Sequence, residues 1–249
     1  MKISGSTILI TGGATGIGFA LADAFSEAGN EVIICGRRQE KLDEAKGRLP
    51  KVNAIQCDIS NAKERSALFD WTVKNFPHLN ILVNNAGIQR QIDFRKGTKT
   101  MSAGEDEIET NFRAAVHLAA LFIPHLLKQQ EAALVNVSSG LAFIPLAAVP
   151  VYCATKAAIH SFSLSLRHQL KETSIKVFEI IPPIVDTELH KGERERRGQK
   201  DRGIKPKEVA LATLQALETD DYELAVGRAK SLRTGARDDP DGLFRMMNG

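Results

Sequence analysis

The feature that most constrains the fold is a regular alternation of short apolar runs with longer helical patterns along almost the whole chain. The apolar runs are continuous and rich in β-branched residues, which is typical of strands that helices cover on both faces of a sheet. We therefore expect one α/β domain over residues 1–249, with a doubly wound parallel sheet of about seven strands. The expected strands are residues 7–11, 31–35, 52–57, 81–83, 133–137, 176–181 and 222–227, and the main helices are 16–28, 39–49, 62–75, 105–129 and 152–172.

The composition restricts the classes of function. The 249 residues carry 33 Lys and Arg against 30 Asp and Glu, a net charge of +3, so we expect neither a nucleic-acid nor a membrane-surface partner. The cysteines Cys35, Cys57 and Cys153 lack metal-ligand spacing, which argues against a zinc site or a disulfide framework. The chain enters a short strand at once, without a stretch long enough for a signal peptide or membrane span, and we expect a cytoplasmic protein.

A glycine-rich turn is predicted between the first strand and the first helix. Its sequence, TGGATGIG, sets Gly12, Gly16 and Gly18 in a G-x-x-x-G-x-G spacing, with Thr15 and Ile17 between them. Glycines permit a tight turn and let the backbone approach a pyrophosphate, while the free N–H groups of a helix N-terminus attract phosphates. The turn therefore predicts a nucleotide site.

The end of the second strand indicates which nucleotide binds. An acidic residue there would accept a hydrogen bond from the ribose 2′-hydroxyl of NAD, but this chain has Arg37 and Arg38. Two guanidinium groups suit a 2′-phosphate, so the pattern favours NADP(H) over NAD(H). The alternative is that one arginine is only a solvated residue at the start of a helix.

Residues that follow the third and fourth strands complete the expected nucleotide site, because ligands of open parallel sheets bind beyond the carboxyl ends of the strands. Asp58 and Ile59, after the third strand, are expected to bracket the adenine. Asn85, Ala86 and Gly87, after the fourth strand, provide small and amide groups where the chain must pass close to the cofactor.

Tyr152 and Lys156 form a candidate catalytic pair at the head of a predicted helix. Their spacing of four residues places both side chains on one helical face. Ser139 lies thirteen residues before Tyr152, at the end of the fifth strand, and its spacing favours it over the alternative, Ser138. All three groups are expected to meet the nucleotide in one crevice.

The motifs together resemble the short-chain dehydrogenase/reductase family, which implies a Rossmann fold and a nicotinamide cofactor. The resemblance covers nearly the whole chain. Within the family, the stretch from Val151 to Leu170 resembles the oxidoreductases encoded with bacterial teichoic-acid D-alanylation operons. The motifs, in order, are TGGATGIG from Thr11, NNAG from Asn84, Asn111 in ETNF, NVSSG from Asn136, YCATK from Tyr152 and PPIVDT from Pro182.

The resemblance implies a role for each catalytic candidate. Tyr152 would be the general acid in reduction and the base in oxidation, with its pKa lowered by the Lys156 ammonium and the oxidised nicotinamide. Lys156 would also hold the nicotinamide ribose, and Ser139 would hydrogen-bond the substrate carbonyl. Asn111 would kink its helix and hold a water that links Lys156 to solvent.

The segment after the sixth strand is also assigned by the resemblance. It implies cofactor contacts from Pro182, Val185 and Thr187. Pro183 departs from the family, which has glycine at this position, and the change removes an N–H beside the nicotinamide. We expect Pro183 to shape the substrate wall without abolishing activity.

The sequence hypothesis is an NADP(H)-dependent oxidoreductase that interconverts a carbonyl and an alcohol on a small organic substrate. The alternatives are a redox-inactive NADP(H)-binding sensor or scaffold, and an epimerase or dehydratase of the same fold. The resemblance also implies a homo-oligomer, a dimer or a tetramer, because the helices at 105–129 and 152–172 carry apolar faces that usually pair between subunits in this family. The charge-dense stretch 188–205 is interpreted as a mobile substrate lid, with a solvated surface segment as the alternative.

Two further expectations concern the surroundings of the site. His160 and His168 share a helix face without a third ligand nearby, so we interpret them as surface or interface residues rather than metal ligands. The apolar residues after Ser139 are expected to form a hydrophobic substrate wall, and they are Leu141, Phe143, Ile144, Pro145 and Leu146.

Overall fold

In the described part of the chain, seven strands form one parallel sheet in the order β3-β2-β1-β4-β5-β6-β7. The structure, a computed structural model, describes residues 1–102, 106–189 and 203–249. The order runs outward in both directions from the pair β1 and β4, which confirms the predicted doubly wound sheet. The strands are β1 Thr7–Thr11, β2 Glu31–Gly36, β3 Asn53–Gln56, β4 Leu79–Asn84, β5 Ala132–Val137, β6 Ile175–Ile181 and β7 Glu223–Ala225.

Helices cover both faces of this sheet. A π-helical turn, Glu109–Arg113, leads directly into α5, and short 3-10 turns lie at Phe94–Lys96 and Gly140–Ala142. Among the described helices, none has the length and hydropathy that a membrane crossing requires. The α-helices are α1 Gly16–Glu27, α2 Gln39–Arg48, α3 Ala62–Asn75, α4 Lys99–Ser102, α5 Ala114–Leu126, α6 Pro150–Gln169, α7 Pro206–Thr219, α8 Ala229–Asp238 and α9 Pro240–Asn248.

Two hydrophobic cores lie on opposite faces of the sheet, because successive strand residues point to opposite sides. In β1, Ile8 and Ile10 join Leu21 and Phe25 of α1 in one core. Leu9 of the same strand joins the other core, with residues of α3, α5 and α6. These strands lack a solvated face, which explains why their sequences are continuously apolar rather than alternating.

The structure refines two predicted helices. The helix at 105–129 is not uniform, since the π-helical turn Glu109–Arg113 interrupts it before α5. The helix predicted at 152–172 begins two residues earlier, at Pro150, where a proline without an N–H fits the first helical turn. Tyr152 therefore lies in the first turn of α6, close to the end of β5.

The chain after β6 returns toward the sheet before α7 begins. Val185 and Ile204 form an isolated parallel bridge, and the N–H of Asp186 donates to the Ile204 carbonyl at 2.9 Å. Of the predicted lid, 188–205, residues 190–202 lie outside the described part of the chain. At its C-terminal end, Lys205 is the N-cap of α7 rather than part of a loop.

Candidate active site

A cleft of about 370 Å³ runs along the carboxyl ends of the strands and contains most of the residues that the sequence singled out. Four predicted residues are not part of its lining, namely Gly18, Asn111, Ser139 and Val185. The predicted residues that line the cleft are Gly12, Thr15, Gly16, Ile17, Arg37, Arg38, Asp58, Ile59, Asn85, Ala86, Gly87, Tyr152, Lys156, Pro182 and Thr187.

The glycine turn at one end of the cleft is packed too closely for side chains. Gly12 and Gly16 have φ angles of +64° and +55°, in the left-handed region that favours glycine. A Cβ on Gly18 would lie 2.3 Å from the Gly12 carbonyl oxygen, and a Cβ on Gly12 would lie 2.9 Å from the Ala86 Cα. The backbone itself therefore forms this wall.

Hydrogen bonds from the neighbouring strand hold the glycine turn in place. The Thr11 hydroxyl accepts from the backbone N–H groups of Asn85 and Ala86, at 3.0 and 3.1 Å. The Asn85 carboxamide donates back to the Thr11 carbonyl at 2.9 Å. Thr187, from the segment after β6, reaches the same turn, since its Cγ2 would lie 3.0 Å from a Cβ on Gly16.

Three basic side chains line the cleft at the same end as the glycine turn. Arg37, Arg38 and Lys41 all line the cleft beyond the end of β2. The sequence analysis did not include Lys41, although its position three residues after Arg38 at a helix start was a usable signal. The Arg38 guanidinium pairs with Glu188 at 3.1 Å, and both side chains are about half exposed.

The three catalytic candidates meet at the other end of the cleft. Tyr152, Lys156 and Ser139 are all buried, with 7%, 4% and 8% of their surfaces exposed. The Lys156 ammonium donates to the Val137 carbonyl at 2.8 Å and lies 5.7 Å from the centre of the Tyr152 ring. These side chains therefore lie in a setting where water screens their charges little.

Burial changes the pKa values of both ionisable groups. It raises the pKa of Tyr152 to about 12, although a hydrogen bond between the Tyr152 and Ser139 side chains acts in the opposite direction. Burial likewise lowers the pKa of Lys156 to about 8, while the negative charge of Glu179 acts to raise it. The sequence analysis expected the Lys156 ammonium and the oxidised nicotinamide to lower the tyrosine pKa, whereas the largest effect within the protein itself is desolvation, which raises it.

The two serines at the end of β5 have different partners. The Ser138 hydroxyl donates to the buried carboxylate of Glu179. The Ser139 hydroxyl instead accepts from the Leu141 N–H at 3.1 Å and hydrogen-bonds Tyr152. The structure thus directs Ser139, rather than Ser138, toward the tyrosine.

Asn111 lies in the π-helical turn and holds the loop that follows β4. Its carboxamide accepts from the Ile88 N–H and donates to the Ile88 carbonyl, both at 2.8 Å, and donates to the Thr155 hydroxyl at 3.1 Å. A second cavity of about 10 Å³, roughly the volume one water needs, lies between Asn111, Asn84 and Lys156. The Oδ1 of Asn84 is buried and has no hydrogen-bond partner.

The structure adds buried charged residues that the sequence analysis missed. Arg65 is 2% exposed and joins the Ile59 carbonyl, beside the cleft, to Glu109 of the π-helical turn. Glu107 is also 2% exposed, and burial raises its pKa while the Arg90 N–H donates to it at 2.9 Å. The acidic start of its helix gave no signal, because acidic residues there are usually solvated.

The substrate side of the cleft differs from the expected apolar wall. Leu141 and Leu146 pack against a small buried cluster of Val149, Tyr152 and Cys153. However, Ile144 is buried, with 2% of its surface exposed, and Phe143 turns to the His160 ring at 4.7 Å. The structure also corrects the surface interpretation of His160, whose Nδ1 lies 2.7 Å from a Glu179 carboxylate oxygen.

The chain belongs to the short-chain dehydrogenase family, whose model matches residues 6–198, and it is an oxidoreductase of that family. It is 54% identical to the uncharacterized oxidoreductase DltE of Bacillus subtilis over 248 residues, which cover 100% of this chain and 98% of the relative. This match confirms the resemblance to oxidoreductases of the DltE type. An uncharacterized oxidoreductase of Staphylococcus epidermidis is 29% identical over 77% of this chain and 83% of its own length.

Solved structures share the fold over nearly the entire chain. A short chain dehydrogenase from Burkholderia cenocepacia, in complex with NADP, has a TM-score of 0.82 at 25% identity and covers 99% of both chains. A short chain dehydrogenase/reductase from Burkholderia phymatum, in complex with NAD, has a TM-score of 0.85 at 20% identity, with 100% and 97% coverage. The Rossmann fold implied by the motifs is therefore confirmed.

Proposed function

We propose that this chain is an NADP(H)-dependent oxidoreductase that interconverts a carbonyl and an alcohol on a small organic substrate. The observation that carries this proposal is one cleft that joins the closely packed glycine turn to Tyr152 and Lys156. The related structures in complex with NAD and NADP support a nicotinamide dinucleotide as the cofactor.

The residues at the glycine turn fit such a cofactor. Gly12, Gly16 and Gly18 leave a surface that a Cβ would fill, at the N-terminus of α1, where free N–H groups favour phosphate. In the proposed complex, Asp58 and Ile59 flank the adenine, and Lys156 holds the nicotinamide ribose. The nicotinamide supplies the hydride chemistry when it is bound.

The preference for NADP(H) rests on the basic group beyond β2. Arg37, Arg38 and Lys41 face one end of the cleft, where a 2′-phosphate would meet up to three cations. Glu188 already pairs with Arg38, so a phosphate must compete with that carboxylate. Glu188 is therefore expected to reduce the preference for NADP(H) over NAD(H) that the three cations provide.

Tyr152 is the proposed proton donor in carbonyl reduction. Its raised pKa keeps the phenol protonated at neutral pH, which suits a general acid. In oxidation the same group must act as base, and the nearby Lys156 ammonium stabilises its anion. Ser139, hydrogen-bonded to Tyr152, is placed to orient the substrate oxygen.

Protons reach this pair by a path that we assign to Asn111 and the small cavity beside it. The cavity joins the π-helical turn to the Lys156 side chain and is large enough for about one water. Asn111 fixes the Ile88 backbone beside it with two hydrogen bonds. Asn111 thus keeps open the route from Lys156 toward the loop after β4.

The test is turnover of NADPH and NADH, in parallel, over a panel of aldehydes, ketones, diketones and quinones. Tyr152→Phe removes the proposed acid, and we expect a loss of at least about 100-fold in turnover while NADPH still binds. The chain contains two tyrosines, so Tyr222→Phe is a matched control. Tyr222 packs against Phe178, with ring centres 5.1 Å apart, and does not line the cleft.

The outcomes separate the proposed activity from its rivals. Turnover that prefers NADPH and is lost only in Tyr152→Phe supports the reductase. Tight NADPH binding without turnover on any compound favours the sensor or scaffold, whereas a product isomerised or dehydrated without net NADPH consumption favours the epimerase or dehydratase. Equal activity of Tyr152→Phe and Tyr222→Phe would overturn the assignment of the acid.

We also propose that the protein is a homo-oligomer. Leu164 on α6 and Ile108 beside the π-helical turn are 42% and 50% exposed, and they lie within the two helical segments whose apolar faces the sequence analysis assigned to contacts between subunits. Light scattering coupled to gel filtration tests the proposal, and a mass of about one 27.2 kDa chain would contradict it.

A further inference from the structure

A carboxylate lies fully buried behind the candidate active site. Glu179 belongs to β6, where its neighbours Phe178 and Ile180 are apolar, and none of its surface is exposed. Its carboxylate accepts from the Ser138 hydroxyl and lies 2.7 Å from the Nδ1 of His160. A buried carboxylate is costly in free energy unless it is hydrogen-bonded and paired, so its presence in a core strand calls for a reason.

Glu179 shares its supports with Lys156. Lys156 and His160 are four residues apart on α6, so their side chains lie on the same helical face. The Lys156 ammonium binds the Val137 carbonyl, and the next residue, Ser138, binds the Glu179 carboxylate. The end of β5, with the residue that follows it, and the helix α6 therefore provide contacts to both the cation and the carboxylate.

Lys156 needs a nearby negative charge if it is to stay protonated. Its burial favours the neutral amine, which brings the lysine pKa down to about 8, and Glu179 is the group whose charge opposes this shift. A neutral Lys156 would lose its attraction for the tyrosinate anion and one of its N–H donors. Removing the Glu179 charge is therefore expected to change the protonation of Lys156 close to physiological pH.

We propose that Glu179 is a positioning residue of the active site, whose carboxylate, fixed by Ser138 and His160, keeps Lys156 in its ammonium form. The proposal rests on the proposed function for its meaning in catalysis, but the protonation of Lys156 is measurable without any turnover. It also assigns Ser138 the role of fixing the Glu179 carboxylate, whereas Ser139 hydrogen-bonds Tyr152.

His160 makes the effect of Glu179 depend on pH. His160 faces Glu179 directly, with Glu223 and Arg233 nearby, and its pKa is raised mainly by the hydrogen bond to Glu179. Protonated His160 offsets the carboxylate charge at low pH, and neutral His160 leaves that charge unopposed at high pH. The support that Glu179 gives Lys156 is thus greatest on the alkaline side, where Lys156 itself titrates.

The direct experiment is an NMR titration of the lysine side-chain nitrogens in the full-length protein, with the Lys156 signal assigned from Lys156→Arg. Glu179→Gln keeps the size of the side chain and one acceptor oxygen, and it removes the negative charge. We expect the pKa of Lys156 to fall by about one unit or more in this variant. Glu179→Asp, which keeps the charge, is expected to retain most of the wild-type value.

Glu223→Gln is the matched control. Glu223 pairs with Glu179 in the register of β6 and β7, but its carboxylate is held by Arg167 and Arg233. The same loss of charge at Glu223 is expected to leave the pKa of Lys156 within about 0.3 units of wild type. Equal shifts in Glu179→Gln and Glu223→Gln would overturn the proposal, because they would reflect only net charge.

Turnover supplies the second readout. The alkaline limb of the pH profile of kcat/KM should move to lower pH in Glu179→Gln by the same amount as the Lys156 pKa. An unchanged Lys156 pKa overturns the proposal whether or not the protein turns over a substrate, whereas a shifted pKa without turnover supports it and counts against the proposed function alone. If Glu179→Gln does not fold, Ser138→Ala tests the same inference, since a less firmly oriented carboxylate should also lower the Lys156 pKa; no change there overturns it.

Discussion

The two ends of the cleft are constructed by different means. At the nucleotide end, the wall is backbone, and glycines at 12, 16 and 18 leave no space for added atoms. At the catalytic end, the wall consists of buried side chains, with Tyr152 and Lys156 supported by further polar groups behind them. The shape of the nucleotide end therefore depends on the absence of side-chain volume at the glycines. The properties of the catalytic end depend on charge and hydrogen bonding.

This difference determines which substitutions each end can tolerate. A single methyl group at the backbone wall must displace main-chain atoms, and close-packed main chain has little freedom to move. A change of charge at the catalytic end alters pKa values of neighbouring groups while leaving their positions nearly unchanged. Substitutions at the nucleotide end should accordingly reduce nucleotide binding, whereas changes of charge at the catalytic end should alter the pH dependence of activity.

The largest effect is expected from Gly18→Ala. The new Cβ would lie 2.3 Å from the Gly12 carbonyl oxygen and 2.5 Å from the Asn85 Nδ2, so the turn must distort. We expect a loss of about 1–3 kcal/mol in the free energy of unfolding and loss of measurable NADPH binding. Chemical denaturation and fluorescence titration of NADPH measure the two effects.

Gly47→Ala is the control for that substitution. Gly47 lies in α2, with no atom within 4 Å of its added Cβ, and alanine there should stabilise the protein by about 0.5–1 kcal/mol. Nucleotide binding should not change. Wild-type NADPH affinity in Gly18→Ala would show that the turn is not the binding wall.

A smaller effect on function is expected from Asn111→Ala at the catalytic end. It removes three hydrogen bonds, two of them to the Ile88 backbone, and should cost about 2–3 kcal/mol in the free energy of unfolding. We expect kcat to fall by roughly 10- to 100-fold with little change in KM for NADPH, because the proton path rather than the nucleotide wall is altered.

Asn61→Ala makes the same chemical change at the N-cap of α3. Its side chain accepts from the Lys63 N–H at 3.0 Å, and its loss should cost about 1 kcal/mol without changing kcat. A kcat for Asn111→Ala as high as that of Asn61→Ala, with both variants folded, would remove Asn111 from the proton path.

The two ends also differ in how far they could be predicted. The strands, the glycine turn and the Tyr152–Lys156 pair follow from local patterns, since apolar runs, glycine spacing and helical periodicity are all short-range signals. The resemblance to the family implied a kinked helix at Asn111, and the structure has a π-helical turn there. Its side-chain contacts with Ile88 and Thr155 were not predicted.

The contacts that the sequence analysis missed join residues that are far apart in the sequence. Glu179 and His160 are 19 residues apart in sequence, and Glu179 and Ser138 are 41 apart, so no local pattern joins them. A signal did exist, because a carboxylate inside the apolar run VFEII is unusual for a buried strand. Its partners could be named only after the sheet order was known.

A moderate effect is expected at the Arg38–Glu188 pair, which lines the cleft at the nucleotide end. Arg38→Ala should lower the ratio of kcat/KM for NADPH to that for NADH by about tenfold, the value of one charge-assisted hydrogen bond. Glu188→Gln removes the competing carboxylate and should raise the same ratio by about two- to fivefold. Steady-state kinetics with both nucleotides measures the ratio, and a fall in Glu188→Gln would contradict the proposed competition.

The smallest expected effect concerns the stability contribution of His160. The Glu179 hydrogen bond raises the His160 pKa in the folded protein above its ordinary value of 6.5, so the protonated form favours folding. This contribution is complete below the unfolded pKa and is lost as the pH rises through the folded pKa. His160→Gln should therefore cost more stability at pH 5.5 than at pH 9, by about 0.5–1 kcal/mol, as expected for a partly exposed ion pair.

Urea denaturation at the two pH values measures the difference in the cost of His160→Gln. The control is His168→Gln, at an exposed position on the same helix. If both substitutions gave the same pH dependence, the pair of His160 with Glu179 would not contribute as a charge pair, and the catalytic end would depend on packing as the nucleotide end does.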